Sequence, residues 1–511
     1  MTVLVRETDG IRELLNMKSS GKTDPLQRHF QSFRSRIIGD RQKHAFPSGE
    51  REILYADWAA SGRLYRPIEN FLSETLGPYV ANTHTETTTT GTIMTDAYRQ
   101  AHDIIKKHVN ASGQDVLLFA GFGMTAVVNK FQRILGLRVA EKFKKKIRQD
   151  KNERPVVLIT HMEHHSNQTT WEECLCDVRI VRRNTQGLPD LAHLEELAAE
   201  GSRRSLLIGS FTACSNVTGI WTPYHDMAGI MHRHGGLCFV DFSASAPYLP
   251  IDMHPPEKDR RLDAIFFSPH KFLGGPGSSG VMVFNRELYQ ISVPDQPGGG
   301  TVKWTNPWGG HHFYEDIETR EDGGTPGFLQ AVKASLALRL KEEMGAEQIR
   351  QREHALKELL MGRLLSIPGI QVLEPDQKNR IGYVSFYSRA VHHNLMVRLL
   401  NDQYGIQTRG GCSCAGTYGH ILLNIGMDES RAITDRIDHG DLSRKPGWVR
   451  ISTHPTMTDE EISFIADAVE EILKRADAWG RDYRFDPGTG DYIRTGGSAD
   501  RIDLRDACRL R

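Results

Sequence analysis

The middle of the 511-residue chain alternates short apolar runs with polar segments of helical period. The runs are DVLLFA (115–120), PVVLIT (155–160), SLLIGSFT (205–212), LCFVDFS (237–243), AIFFS (264–268) and GVMVF (280–284). Apolar stretches of this length predict buried strands, and their alternation with helical segments predicts an open α/β layer with mostly parallel strands. LAHLEELAAE and HDMAGIMHRHGG predict helices between them, the second stopped at Gly235 and Gly236. After about residue 327 the helical period dominates. LQAVKASLALRLKEEMGAEQI and QREHALKELLMGRLLSI lead to a strand-like IGYVSFY, and TDEEISFIADAVEEILKRA opens with a capping-box pair, Thr458 and Glu461. The expected organisation is an N-terminal extension (1–50) packing on the small domain, a large α/β domain (51–326), a smaller α+β domain (327–480) and a tail (481–511). That tail has turn signals and little periodicity, so it is expected to wrap the surface or fray.

Composition narrows the partners. Lys+Arg and Asp+Glu are both 64, so nothing in the overall charge recruits nucleic acid or an anionic membrane, and a small-molecule substrate becomes the default. The basic run EKFKKKIRQDKNERP (141–155) is read as a solvated surface segment. No apolar stretch has the length of a signal peptide or a spanning helix, so a cytoplasmic enzyme is expected. Seven thinly spread cysteines do not resemble a disulfide framework, and reduced thiols are the working assumption.

Chemistry collects just beyond the strands, where open α/β sheets bind ligands. DVLLFA runs into GFGMTAVVNK, whose glycines precede a helix N-terminus able to hold phosphate. LCFVDFS places Asp241 inside an apolar strand, a costly position for an unpaired charge. AIFFS runs into SPHKFLGGPGSSG, placing Lys271 where burial favours the neutral amine nucleophile. An acid for a pyridine nitrogen, an amine for a Schiff base and a phosphate-binding helix are the three demands of pyridoxal 5′-phosphate.

Motifs in order carry a resemblance over about residues 55–473. They are YADWAASG (55–62), GMTAVVN (123–129), MEHHSN (162–167), FTACSNVTG (211–219), VDFSASA (240–246), SPHKFLGGPGSSG (268–280), GGTPG (323–327), RGGCSCAG (409–416) and VRIST (449–453). The chain resembles the class V, fold-type I pyridoxal-phosphate enzymes, and within them group II cysteine desulfurases and selenocysteine lyases. The resemblance implies a large domain with a mostly parallel seven-stranded sheet flanked by helices, a smaller α+β domain, and a homodimer with shared active sites. It further implies that Lys271 holds the cofactor and moves the Cα proton, Asp241 pairs with the ring nitrogen and His164 stacks on the ring. Asn216 would lie near the phenolic oxygen and the substrate carboxylate. Met124, Thr125, Ser268 and His270 would hold the phosphate, joined by Thr325 of a neighbouring subunit. Arg450 would clamp the substrate carboxylate, with Arg409 beside it.

Arg409, Gly411 and Cys414 match the R-x-G-x-x-C loop of the desulfurases. There a cysteine thiolate, aided by a nearby cation, attacks the substrate sulfur of L-cysteine or L-selenocysteine, leaving a persulfide and releasing alanine, and a separate acceptor protein takes the sulfur. Three departures stand out. Ala244 occupies the position where the family usually has Gln, with Ser243 or Ser245 as substitutes; Cys412 stands in place of the usual His; and some 35 residues separate Cys414 from Arg450. A second reading keeps the cofactor in an aminotransferase, epimerase or C–S lyase in which Cys414 is incidental. A third makes the chain a non-catalytic regulator. Metal readings of HMEHHSN, or of Cys174 and Cys176 with Cys412 and Cys414, are disfavoured by spacing, so no metal is expected.

Overall fold

The computed structural model describes residues 24–147, 150, 153–496 and 504–507. Seven strands form the central sheet: β1 (Asp115–Ala120), β2 (Val156–Thr160), β3 (Asp177–Val181), β4 (Leu207–Thr212), β5 (Leu237–Asp241), β6 (Ala264–Phe267) and β7 (Gly280–Asn285). Their order is β1-β7-β6-β5-β4-β2-β3, parallel from β6 to β3, with β7 antiparallel to both neighbours. The expected mostly parallel seven-stranded α/β sheet is therefore present. Residues of β2, β4 and β6 are buried throughout, and those of β5 are buried after half-buried Leu237, which explains why they read as continuous apolar runs. The strand the runs did not reveal is β3, an edge strand with two exposed positions and a half-polar sequence, DVRIV.

Beyond Phe328–Met344, Gly345 breaks the helical run at φ 83°, and a second helix follows over Ala346–Leu365. A four-stranded antiparallel sheet follows: β8 (Ile370–Val372), β9 (Tyr383–Ser388), β10 (Arg409–Gly411) and β11 (Trp448–Ser452), in the order β8-β9-β11-β10. The closing helix, Asp459–Trp479, carries the predicted capping box: Thr458 Oγ1 accepts from the Glu461 amide at 3.2 Å and Glu461 Oε2 accepts from the Thr458 amide at 2.9 Å.

Two further segments form hairpins. Part of the tail forms a hairpin, Tyr483–Asp486 with Asp491–Arg494, docked on the helix His393–Tyr404. Asn394 donates to the Gly490 carbonyl at 2.7 Å, Arg398 to that of Tyr492 at 3.1 Å, and the Tyr483 hydroxyl to Asp402 at 2.8 Å. The register there comes from the underlying helix, a cue that local periodicity does not contain. A second hairpin, Val302–Thr305 with His311–Phe313, leaves Trp304 and Trp308 exposed.

Residues 1–23 of the N-terminal extension lie outside the described residues. Beyond them the helix Pro25–Arg34 rests on small-domain elements: Arg34 forks onto Glu461 at 2.5 and 2.7 Å. Arg352, fully buried, reaches Gln27 at 2.9 Å, Asp459 at 2.8 Å and the Met457 carbonyl at 2.8 Å. A buried guanidinium is tolerable only with such partners. Arg352→Ala removes three charge-assisted bonds and opens a cavity, and is expected to lower the unfolding free energy by about 3 kcal/mol in urea titration.

Candidate active site

The C-terminal ends of β1, β4, β5 and β6 share one edge of the sheet and present the chemistry there. After β1, Gly123 leads into the helix Met124–Ile134, whose N-terminus has no side-chain cap on its Ncap residue. Ser268, just beyond β6, accepts from the Met124 amide at 2.9 Å, and His270 Nδ1 bonds the Phe122 carbonyl at 2.9 Å. A Cβ on Gly123 would lie 3.1 Å from the His270 ring and 3.2 Å from Ser268 Oγ, so glycine keeps this cradle open. Thr125 Oγ1 stands 2.6 Å from Ser166 Oγ. Met124, Thr125, Ser268 and His270 are thus brought together around one helix N-terminus, a concentration of donors suited to a phosphate.

Asp241 ends β5 fully enclosed, accepting from the Ser243 amide at 2.9 Å and making no salt bridge among the described residues. Burial raises its pKa, while hydrogen bonds from Ser243 and the charge of Lys271 pull it back. Lys271 lies on the turn after β6, and desolvation brings its pKa down to about 8; Asp241 acts the other way and Arg450 adds to the fall. His164 caps the helix His165–Glu172 by accepting the Ser166 amide on Nδ1 at 3.1 Å. Desolvation, then Lys271, His165 and Arg450, hold its pKa at about 3, so a neutral ring faces the site. Glu163 anchors this segment from below, accepting from Thr160, Asn167 and the Thr212 amide. Its pKa is pushed up to about 7 by burial.

Ala244 places only a methyl group beside this cluster, and its carbonyl accepts from the Tyr383 hydroxyl at 3.1 Å. Of the two possible substitutes, Ser243 is engaged with Asp241 and stands 3.3 Å from Ser268, whereas Ser245 Oγ is buried with no hydrogen-bond partner among the described residues.

The small domain brings the remaining groups. In the β10–β11 register Arg409 stands directly opposite Arg450. Like charges so placed repel, and Asp57, which sequence reasoning quoted in YADWAASG without assigning it a role, bridges the two. Its Oδ1 accepts from Arg450 Nη2 at 2.9 Å, and its Oδ2 from Arg409 Nε at 3.0 Å. Arg450 Nη1 donates to the Asn216 carbonyl at 2.9 Å, and the Asn216 side chain donates to the Ser413 carbonyl at 2.7 Å. Buried Asn216 Oδ1 and Arg450 Nε have no hydrogen-bond partner among the described residues.

Cys414 is exposed, on a turn in which it and Ser413 are both left-handed (φ 56° and 52°). The turn is held by Trp448 Nε1 to Ser413 Oγ (3.2 Å), the His165 amide to the Cys414 carbonyl (2.8 Å) and the Gly416 amide to His165 Nε2 (2.9 Å). Cys414 interacts electrostatically with both Lys271 and Arg409. Thr325 stands apart: it is exposed on the loop before Phe328 and makes no hydrogen bond within the described chain. Cys174 and Cys176 are core residues whose thiols burial raises to about 11 and 12, and no group of three metal-ligating side chains occurs among the described residues. No described helix is long and apolar enough to cross a membrane.

The donor set fits pyridoxal 5′-phosphate: a phosphate cradle, a buried carboxylate in no salt bridge among the described residues, a neutral imidazole and an amine of lowered pKa converge on one sheet edge. The aminotransferase class-V family profile matches residues 54–465. A probable cysteine desulfurase of Halalkalibacterium halodurans is 27% identical over 382 residues, 73% of this chain and 88% of its own. One from Staphylococcus epidermidis is 27% identical over 375 residues, 71% of this chain and 84% of its own. Among solved structures, the apo cysteine desulfurase of Thermococcus onnurineus NA1 superposes with a TM-score of 0.69 at 21% identity, covering 87% of this chain and 98% of the other. The Escherichia coli cysteine desulfurase CsdA gives 0.66 at 22%, with the same coverages. The two structures share the fold.

Two outcomes test the geometry. Only the neutral amine adds to an aldehyde, so cofactor uptake by the apo chain should rise about tenfold per pH unit up to about pH 8 and level off above it. Asp241→Asn should move the break to lower pH, because Asp241 is what favours the proton on Lys271. Asp57→Ala leaves two guanidiniums opposed and should lower the unfolding free energy by about 3 kcal/mol. Adding Arg409→Gln should recover part of that loss in a double-mutant cycle.

Proposed function

The chain belongs to the aminotransferase class-V family, and from that premise we propose that it is a pyridoxal-phosphate-dependent cysteine desulfurase with Cys414 as its nucleophile. The observation that carries the reading is the seating of Cys414: a loop bonded to Asn216 and His165 holds an exposed thiol within electrostatic reach of Lys271. The names of the curated relatives agree with it.

Bound through Lys271, the cofactor supplies an electron sink that acidifies the substrate Cα–H. Every other role falls to the chain. The phosphate is held by Met124, Thr125, Ser268 and His270, the ring by His164 and Asp241. Arg450, kept in place by Asp57 and Asn216, receives the substrate carboxylate, with its unpartnered Nε and the Asn216 amide at hand. Lys271 has a pKa of about 8, close enough to neutrality to take the Cα proton and give it back. The Cys414 thiolate attacks the substrate sulfur; an S–S bond forms, the substrate C–S bond breaks with its electron pair going to carbon, and protonation gives alanine. The balance is L-cysteine plus a thiol to L-alanine plus a persulfide, with no external oxidant.

Arg409 is shared: its Nε and Nη2 both lie 3.0 Å from Asp57, so its charge reaches Cys414 already paired. L-Selenocysteine fits the same chemistry. A cytoplasmic homodimer with shared sites belongs to this reading, Thr325 being exposed and unbonded as a residue serving a second copy's phosphate must be. So does a separate acceptor protein, since Cys414 is exposed.

The test is the holoenzyme with L-cysteine. Cys414→Ser should retain the cofactor absorbance and lose alanine formation by about 100-fold or more. Undiminished alanine from the serine variant overturns the assignment.

A further inference from the structure

The desulfurase reading leaves one thiol of the RGGCSCAG loop unused. Cys412 is half-buried and, like Leu422 and Leu423, packs against an apolar cluster that includes Tyr418 and Trp448. The Ala415 amide donates to the Cys412 carbonyl at 3.1 Å, closing a four-residue turn whose central residues, Ser413 and Cys414, both have positive φ. Neither is glycine, so the turn carries backbone strain of about 1 kcal/mol or more per residue. Contacts from Asn216, Trp448 and His165 hold it in that form. Two residues of extended chain span about 7 Å, and a turn draws the Cα atoms of Cys412 and Cys414 closer, into the range of about 4.4–6.8 Å that a disulfide bridges.

We propose that Cys412 is the resolving thiol for Cys414, converting its persulfide into free sulfide and a Cys412–Cys414 disulfide. The proposal rests on the desulfurase reading. The Cys412 thiolate attacks Cys414 Sγ; the Sγ–Sγ bond forms, and the bond from Cys414 Sγ to the outer sulfur breaks. The outer sulfur leaves with the electron pair as hydrosulfide. Cys412 Sγ is oxidised by one electron and the leaving sulfur is reduced by one, while Cys414 Sγ exchanges one S–S bond for another, so the step balances within the loop. An external thiol reductant then restores both thiols. The different exposures of the pair assign the roles: Cys414 is exposed, whereas Cys412 is half-buried against the apolar cluster and is poorly placed to pass sulfur outward. A disulfide confined to so short a ring is strained and therefore readily reduced, as a step that must turn over requires.

The test uses holoenzyme without oxygen or added reductant and about one equivalent of L-cysteine per subunit, quenched with an alkylating agent. Alanine, free sulfide and the mass of the loop peptide are measured. Wild type should give about one sulfide per alanine and a loop peptide about 2 Da lighter than the reduced form. Cys412→Ser should still form alanine in the first turnover, release at least tenfold less sulfide, and carry about 32 Da of extra sulfur on Cys414. A wild-type persulfide as long-lived as that of Cys412→Ser overturns the resolving role while leaving the desulfurase reading standing. Absence of alanine, or full alanine from Cys414→Ser, overturns both. Independently of turnover, mild diamide oxidation of the apo chain should join Cys412 to Cys414. Two freely alkylated thiols after that treatment would refute the geometry.

Discussion

One carboxylate between two guanidiniums sets the shape of the site. Pairing β10 with β11 puts Arg409 and Arg450 face to face, a register that repels itself without Asp57. Asp57 comes from a segment that precedes the central sheet in sequence yet pairs with small-domain strands: Leu54 and Tyr55 run parallel to Ile406 and Gln407, and the Ser452 amide donates to the Ala56 carbonyl at 2.8 Å. The same Arg450 reaches the Asn216 carbonyl, and Asn216 reaches Ser413. A single line of polar contacts therefore joins the N-terminal segment, the small sheet, the end of β4 and the thiol loop. Because Arg450 is almost wholly buried, the line is costly to break at any point.

Across the site, burial does the tuning. It raises Asp241, lowers Lys271 to about 8 and keeps His164 neutral near 3, three shifts led by loss of water rather than by ion pairing. Lys271 and Asp241 each moderate the other's shift, so the amine stays close to neutrality instead of falling further. Groups of ordinary type thus acquire the protonation states that amine capture and ring stacking need.

Much of this was legible in the chain. Six of the seven central strands read directly because both faces are covered, and Asp241 and Lys271 stood out as charges at the ends of apolar runs. Cys414 stood out through the resemblance of its loop to the R-x-G-x-x-C loop of the desulfurases, and the Thr458–Glu461 cap through a local signature. Asp57 was missed because its meaning lies in partners more than 350 residues away, and an acidic residue after a short apolar pair is otherwise unremarkable. Strand β3 and the two hairpins escaped for a related reason: exposed strands take their register from neighbours and leave little period of their own. The left-handed turn at Ser413 and Cys414 carries no sequence signal, since neither is glycine or asparagine.

The anchoring of that turn has a consequence for how the chain can vary. Gly416 is tied to His165, and Trp448, where the chain returns, is tied to Ser413. Both ends of the intervening stretch are therefore fixed on the same few residues, while the helix Met427–Asp438 between them buries none of its side chains. Closing a longer flexible loop across fixed ends costs only about 0.6 kcal/mol per doubling of its length. The helix Met427–Asp438, beyond Tyr418, Leu422 and Leu423 that pack near the loop, is thus a place where insertion and drift can proceed beside Cys414 without moving it.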